Sequence, residues 1–218
     1  MFLLFLYPST HNYNPLDIVG GSVEEIDDFR TENTIGVKLE DHITVMSFLG
    51  TEPNSNAIAA LNLKELIYDK FRGFKRFQVV VVVPESSENA IIELKKELFQ
   101  YEALNYWHFI YGNKEDIDGL YNSLKAKKGL DNRLATDEVF IIDKDRSQRG
   151  RLDDRTDNEK ERDAKIYGLP SYNCLEVAEI KNKMSEDMRI LFTEYRQKRK
   201  GHFDSSIRRA QDIANEEK

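Results

Sequence analysis

Apolar residues along the chain follow two spacings, and the two alternate from one segment to the next. Short runs of consecutive apolar and β-branched residues predict strands, and they lie at 43–49, 77–83 and 107–111. Segments with apolar residues three or four positions apart predict helices, and they lie at 55–72, 87–102 and 116–127. The run at 77–83 is typical of a central parallel strand covered on both faces. The alternation predicts an α/β fold with a central sheet flanked by helices.

The C-terminal half adds a hairpin and a long helix to this pattern. Strands are predicted at 138–143 and 148–152, and an extended C-terminal helix is predicted at 177–199. Between them, 153–165 mixes acidic and basic residues with almost no apolar side chain, which predicts a solvent-exposed or mobile loop. Arginines interleave with Asp153 and Asp154, so a cluster of salt bridges is favoured there over a hard-metal site.

The segment before the first predicted strand is polar and interrupted by glycine and proline. It predicts an irregular lead-in over 1–42, with a short hairpin near 34–39, followed by one domain over 43–199 and a polar tail over 200–218. The chain starts with an apolar run at 1–7 that is too short to span a bilayer and lacks signal-peptide features. Two interpretations of this run stay open, a segment packed on the core and the end of a membrane anchor.

Charge and cysteine content exclude several classes of function. The net charge is −7, so the chain has no basic excess with which to neutralise phosphates, and we expect no nucleic-acid partner. The single cysteine, Cys174, cannot form an internal disulfide, a CxxC redox pair or a thiolate zinc site. The four histidines lack metal-ligand spacing and are predicted at the surface or at strand ends.

Two motifs resemble the Sco/SenC family of thioredoxin-like copper chaperones. The first is the strand 43–49 followed by Gly-Thr-Glu-Pro-Asn-Ser-Asn-Ala and a helix. The second is Glu-Val-Phe-Ile-Ile-Asp-Lys-Asp-Arg-Ser-Gln-Arg-Gly at 138–150, which is similar to the strand–turn–strand segment of that family, although Arg146 stands where the family commonly has glycine. The resemblance covers about 34–152 and implies a thioredoxin-like fold.

The ligands of that family are absent from this chain. Its members carry a Cys-Pro-x-x-x-Cys-Pro type motif at the turn and a histidine before the penultimate strand, and together these bind copper. The resemblance places Glu52 and Asn56 at the two cysteine positions, and either Ala135 or Thr136 at the histidine position. Carboxylate and amide groups are poor ligands for Cu(I), and disulfide exchange needs thiols. We therefore expect no copper cofactor and no redox activity at this turn.

Two interpretations of the altered turn are compatible with its residues. Polar residues before a helix commonly cap it, and Asn54 or Ser55 would serve that purpose, as would Glu52 near the helix N-terminus. Alternatively, Glu52, Pro53, Asn54 and Asn56 form a docking face for a protein partner.

Three functions from different classes follow. The preferred one is a non-catalytic binding or assembly factor, which the resemblance places in the cell envelope, on the outer face of the cytoplasmic membrane, near respiratory-oxidase biogenesis. One alternative is a thiol-dependent oxidoreductase or peroxidase that uses Cys174, although we expect this thiol to be inert. The other alternative is a metal carrier whose ligands lie at other positions. Basic residues cluster at 194–201, at the end of the last helix, where cations are favourable because of the helix dipole. Attraction to an anionic membrane surface is the second interpretation of this cluster.

Overall fold

The computed structural model describes residues 15–31, 36–100 and 103–199, and the chain divides into two compact units. The larger unit is Asp17–Met188; the smaller one comprises Met1–Leu16 and Arg189–Lys218. Within the described part of the smaller unit, the backbone N–H of Leu16 donates a hydrogen bond of 2.6 Å to the carboxylate of Glu194. The apolar run at 1–7 and the tail at 200–218 lie outside the described residues.

The described residues form one mixed sheet of eight strands. In chain order they are β1 (Asp17–Ser22), β2 (Arg30–Thr31), β3 (Ile43–Leu49), β4 (Phe77–Pro84), β5 (Trp107–Gly112), β6 (Ala135–Ile142), β7 (Ser147–Gly150) and β8 (Tyr172–Asn173). The order across the sheet is β1-β7-β6-β3-β4-β5-β2, with β8 paired to β6. Strands β3, β4 and β5 are parallel, whereas β6 is antiparallel to β3 and β7 is antiparallel to β6.

This topology is the thioredoxin-like fold that the resemblance implies. A βαβ unit containing β3 and β4 and a ββα unit containing β6 and β7 share the order β4-β3-β6-β7. The valine-rich strand β4 lies between β3 and β5, and every residue of β3 and β4 is buried. The prediction of a central strand covered on both faces is confirmed, because helical segments and loops exclude water from both sides of these apolar runs.

The helices follow the predicted segments with shifted ends. They are α1 (Ala57–Leu63), α2 (Asp69–Phe71), α3 (Glu88–Leu98), α4 (Lys114–Asn122), α5 (Asp157–Glu161), α6 (Val177–Glu179) and α7 (Ser185–Arg199). Single π-helical segments, Lys64–Tyr68 and Ile180–Met184, join α1 to α2 and α6 to α7. Among the described residues, no helix is long and apolar enough to cross a membrane.

Helix α4 ends five residues before its predicted limit because a buried carboxylate captures the following backbone. Glu138 of β6, which is 5 % exposed, accepts hydrogen bonds of 2.9 Å from the backbone N–H groups of Lys127 and Lys128. At the other end, the side chain of Asn113 accepts a bond of 2.8 Å from the Asp116 N–H, so the helix begins two residues earlier than predicted.

Two predictions of irregular structure were wrong. The lead-in contains strands β1 and β2, which pair antiparallel with β7 and β5; the hairpin predicted near 34–39 falls partly outside the described residues. The charged segment 153–165 contains helix α5, which begins with a reciprocal capping box between Thr156 and Glu159. Hydrogen bonds hold both segments in regular structure, and the apolar pattern of these segments does not predict those hydrogen bonds.

Candidate functional site

The turn after β3 brings the three altered ligand positions to one edge of the sheet. Gly50 has φ of +69°, in the left-handed region that favours glycine. The next residue, Thr51, donates its backbone N–H to the carbonyl of Arg133 at 2.8 Å, and Leu49 pairs with Ala135 across β3 and β6. The structure therefore places Ala135 directly beside the turn that carries Glu52 and Asn56.

An ion pair occupies the position where the resemblance implies a thiol. The Arg133 guanidinium lies 3.0 Å from a carboxylate oxygen of Glu52 and 3.4 Å from one of Asp131. The hydrogen bonds that Arg133 donates to both carboxylates raise the pKa of Arg133 above its ordinary value. The three side chains are about half exposed, so the pair is accessible to a partner and weak as a source of stability. Sequence analysis missed Arg133, although its position two residues before Ala135 was the available signal.

The polar residues after Pro53 are held by side-chain contacts, and the capping interpretation was wrong. The side-chain amide of Asn54 donates to Glu93 of α3 at 3.2 Å, and that of Asn56 donates to the carbonyl of Leu49 at 3.0 Å. The Ser55 hydroxyl donates to the Glu52 carboxylate at 3.4 Å. No side chain caps the 3-10 segment Pro53–Asn56 or helix α1. These contacts fix the shape of the turn and leave oxygen and amide groups at its surface.

The lone thiol of the chain is buried against β6, where it contacts Asp137. Cys174 is completely buried, its Sγ–H donates to the carbonyl of Asp137 at 2.9 Å, and burial raises its pKa to about 12. A nucleophilic cysteine needs access and an electropositive environment, and Cys174 has neither among the described residues. Its surroundings agree with the expectation of an inert thiol and weigh against the oxidoreductase alternative.

We expect Cys174 to resist alkylation in the folded protein. At pH 8 a pKa of about 12 lowers the thiolate fraction roughly a thousandfold relative to a thiol with an ordinary pKa of ~8.5. Mass spectrometry of iodoacetamide-treated protein should show no adduct until urea unfolds the chain, after which alkylation should be rapid. Fast labelling of the folded protein would restore the thiol-enzyme hypothesis.

The charged residues at 151–155 form salt bridges with one another. Arg151 pairs with Asp154 at 2.9 Å, and Arg155 pairs with Asp153 at 2.8 Å, so the predicted salt-bridge cluster is confirmed. No group of three potential metal ligands occurs within the described ranges.

Two of the histidines lie at strand ends, as predicted. His42 immediately precedes β3, and His108 is the second residue of β5; His11 and His202 fall outside the described residues.

The basic end of α7 lies in the smaller unit. Arg196, Lys198 and Arg199 occupy the last turn, where cations interact favourably with the helix dipole. The Lys198 ammonium lies 5.3 Å from the centroid of the Tyr195 ring. Attraction of this end to an anionic membrane surface stays a prediction.

Comparisons with known proteins find similar solved structures but no similar family model or curated protein. No protein-family model and no curated protein matches the sequence. Similar solved structures include BsSco, a member of the Sco family of cytochrome c oxidase assembly proteins, at 14 % identity, with 81 % of this chain and 94 % of that chain covered and a TM-score of 0.46. Copper-bound ScoI of Arabidopsis thaliana has 12 % identity, coverage of 78 % and 99 %, and a TM-score of 0.42. The likeness is one of fold.

A third similar structure belongs to a protein with other chemistry. It is the yeast mitochondrial 1-Cys peroxiredoxin, at 17 % identity, with 85 % of this chain and 79 % of that chain covered and a TM-score of 0.46.

Proposed function

We propose that this protein is a thioredoxin-fold binding or assembly factor without redox or Cu(I) chemistry. The single observation that carries the proposal is the Glu52–Arg133 ion pair at 3.0 Å, beside Ala135, at the edge where the family's soft ligands would stand. Oxygen and guanidinium groups neither bind Cu(I) tightly nor exchange disulfides. An exposed pair of opposite charges on a well-ordered turn is suited to recognising a partner's charges.

The cellular setting forms part of the proposal. The sequence resemblance to the Sco/SenC family implies the cell envelope and a role near respiratory-oxidase biogenesis. The acidic chain and the exposed charges around Glu52 support a protein partner over a nucleic acid. A partner that presents basic side chains beside acidic ones would complement Glu52 and Arg133.

The first part of the proposal, the absence of Cu(I) and redox chemistry, predicts a negative result in two assays. A competition titration against a Cu(I) chelator at neutral pH should detect no tight equivalent, and an insulin-reduction assay should show no turnover. The variant Cys174→Ser should behave like the wild type in both, because Cys174 is buried and the chain has no second thiol with which it could form a disulfide. One tight equivalent of Cu(I), or measurable insulin reduction, would favour the metal-carrier or enzyme alternative instead.

The binding half is tested by reversing one charge. Immobilised wild-type protein should capture a partner from solubilised membranes of its source cells, and Glu52→Lys should weaken that capture about tenfold, because rim charges control association. The variant Glu161→Lys, which reverses an exposed charge on α5, is the matched control and should capture normally.

A double variant separates surface recognition from internal pairing. Glu52→Lys combined with Arg133→Glu restores an ion pair with its charges exchanged, so thermal melts should match the wild type while capture stays weak. Equal capture by the wild type, the single variant and the double variant at equal stability would show that the turn is no docking face.

A further inference from the structure

A cavity at the opposite edge of the sheet from the Glu52 turn is lined by basic side chains. It has a volume of about 580 Å³ and lies where β3, β4 and β5 begin. Its basic lining residues are Lys38, His42, Lys75, Arg76 and His108. The described lining includes no Asp or Glu, although acidic residues outnumber Lys and Arg by 39 to 32 in the chain.

The walls of this basic cavity are held by backbone and side-chain contacts. The side-chain amide of Gln78, in β4, donates to the carbonyl of Lys38 at 2.8 Å and to the Thr44 hydroxyl at 2.9 Å. The carbonyl of Arg76 accepts the Ile43 N–H at 2.8 Å, which ties the loop before β4 to β3. The cations therefore project from anchored segments.

Carboxylates near these cations neutralise them only weakly. Asp41 lies 3.7 Å from the Arg76 guanidinium, and Asp27 lies 3.8 Å from the Lys38 ammonium. All four side chains are 46–73 % exposed, so both pairs are screened by water and salt. A ring nitrogen of His42 lies 3.0 Å from the Glu40 carbonyl, and this contact orients the ring at the cavity wall.

His108 lines this cavity together with His42. Burial and the neighbouring His42 lower the pKa of His108, which favours its neutral form. Aromatic residues complete the wall, with Phe74, Phe77 and Tyr106 beside the cations. The cavity thus combines positive charge with a flat apolar surface.

A second, smaller cavity adjoins the first and supplies an independent observation. It has a volume of about 280 Å³ and shares Val37, Asn105 and His108 with the basic cavity. Trp107 lines it, is only 4 % exposed, and has a buried indole N–H with no hydrogen-bond partner among the described residues. An indole N–H only donates, so this buried group is unsatisfied in the wall of the smaller cavity.

We propose that the basic cavity, together with its smaller neighbour, binds a small organic phosphate that carries an aromatic body. Arg76, Lys75 and Lys38 bind the phosphate oxygens, and the aromatic walls hold the ring. The proposal is independent of the function proposed for the Glu52 turn, which lies at the other end of β3.

Calorimetric titrations with three probes test the ligand class. We expect 1-naphthyl phosphate to bind at least tenfold more tightly than inorganic phosphate, which lacks the ring, and than 1-naphthol, which lacks the charge. Trp107 is the only tryptophan of the chain, so its fluorescence should change with naphthyl phosphate at the same midpoint. Absence of binding at millimolar naphthyl phosphate, or equal affinity for naphthol, would overturn the proposal.

Two charge-matched variants test the site. Arg76→Gln should weaken naphthyl phosphate binding about ten- to a hundredfold, since a charged hydrogen bond to phosphate is lost. Arg133→Gln removes the same charge from the Glu52 turn and should bind normally. Unchanged binding by Arg76→Gln would show that Arg76 does not hold the phosphate, and equal weakening by both variants would show a general charge effect. Either result would overturn the assignment.

Discussion

Replacing Arg151 by methionine should destabilise the protein by about 3 kcal/mol, because the change strands a buried carboxylate. The Arg151 side chain donates two hydrogen bonds of 2.9 Å to Asp187, which is 1 % exposed. It also pairs with Asp154 at 2.9 Å. The Tyr172 hydroxyl donates to Asp187 at 2.6 Å and cannot by itself neutralise that charge. Urea denaturation at pH 7 measures the loss.

The loss in Arg151→Met should depend on pH in a defined direction. Burial raises the pKa of Asp187 while Arg151 and Tyr172 lower it, so removing Arg151 raises that pKa further above the unfolded value. The folded variant then binds a proton more tightly than the unfolded chain does, and its stability falls as pH rises. The difference from the wild type should therefore be larger at pH 8 than at pH 5.

Arg155→Met is the matched control for that experiment. Arg155 pairs with Asp153 at 2.8 Å, and the Asp153 side chain is 31 % exposed whereas that of Asp187 is 1 % exposed. Removing Arg155 therefore leaves no buried carboxylate without its partner. Its effect should be far smaller than that of Arg151→Met and should show no comparable dependence on pH. If both variants lose similar amounts of unfolding free energy, the ion pairs of Arg151 contribute no more to stability than the ion pair of Arg155.

Gly50→Ala should destabilise the protein by about 2–4 kcal/mol, since both the backbone angle and the space around Gly50 exclude a side chain. Its φ is +69°, and an added Cβ would lie 2.3 Å from the Arg133 carbonyl oxygen and 2.8 Å from the Ala135 Cβ. Relief requires moving the Arg133 segment, which also breaks the 2.8 Å hydrogen bond from Thr51. Urea denaturation measures this loss as well.

Gly73→Ala is the control for Gly50→Ala. No atom lies within 4 Å of a Cβ built on Gly73, so this change should alter stability by about 0.5 kcal/mol or less. If Gly50→Ala is as stable as Gly73→Ala, the turn after β3 relaxes freely and its close approach to β6 is unimportant.

Some features of the altered ligand site could be predicted from the sequence, and others could not. The absence of thiols at Glu52 and Asn56 and the neighbouring position of Ala135 follow from aligning two motifs whose strands are adjacent in the fold. The pairing of Glu52 with Arg133 joins residues 81 positions apart, and no local spacing encodes it. Likewise, the contacts of Asn54 and Asn56 go to α3 and β3, so capping, a local rule, predicted the wrong partners.

The sequence by itself determined the strands β3 and β4, because continuous β-branched runs suit strands that are buried on both faces of a sheet. A short, mainly aromatic run determined β5. It also determined the lack of soft ligands at the turn. Only the tertiary structure decided the strands of the lead-in, the burial of Asp187 beside Arg151, and the meeting of His42 with Arg76 and His108 around one cavity. The physical reason is distance along the chain. Periodicity is a local property that shows which face of a helix or strand is apolar. The partners of charged side chains and of edge strands come from segments that are remote in sequence, so they are fixed only when the chain folds.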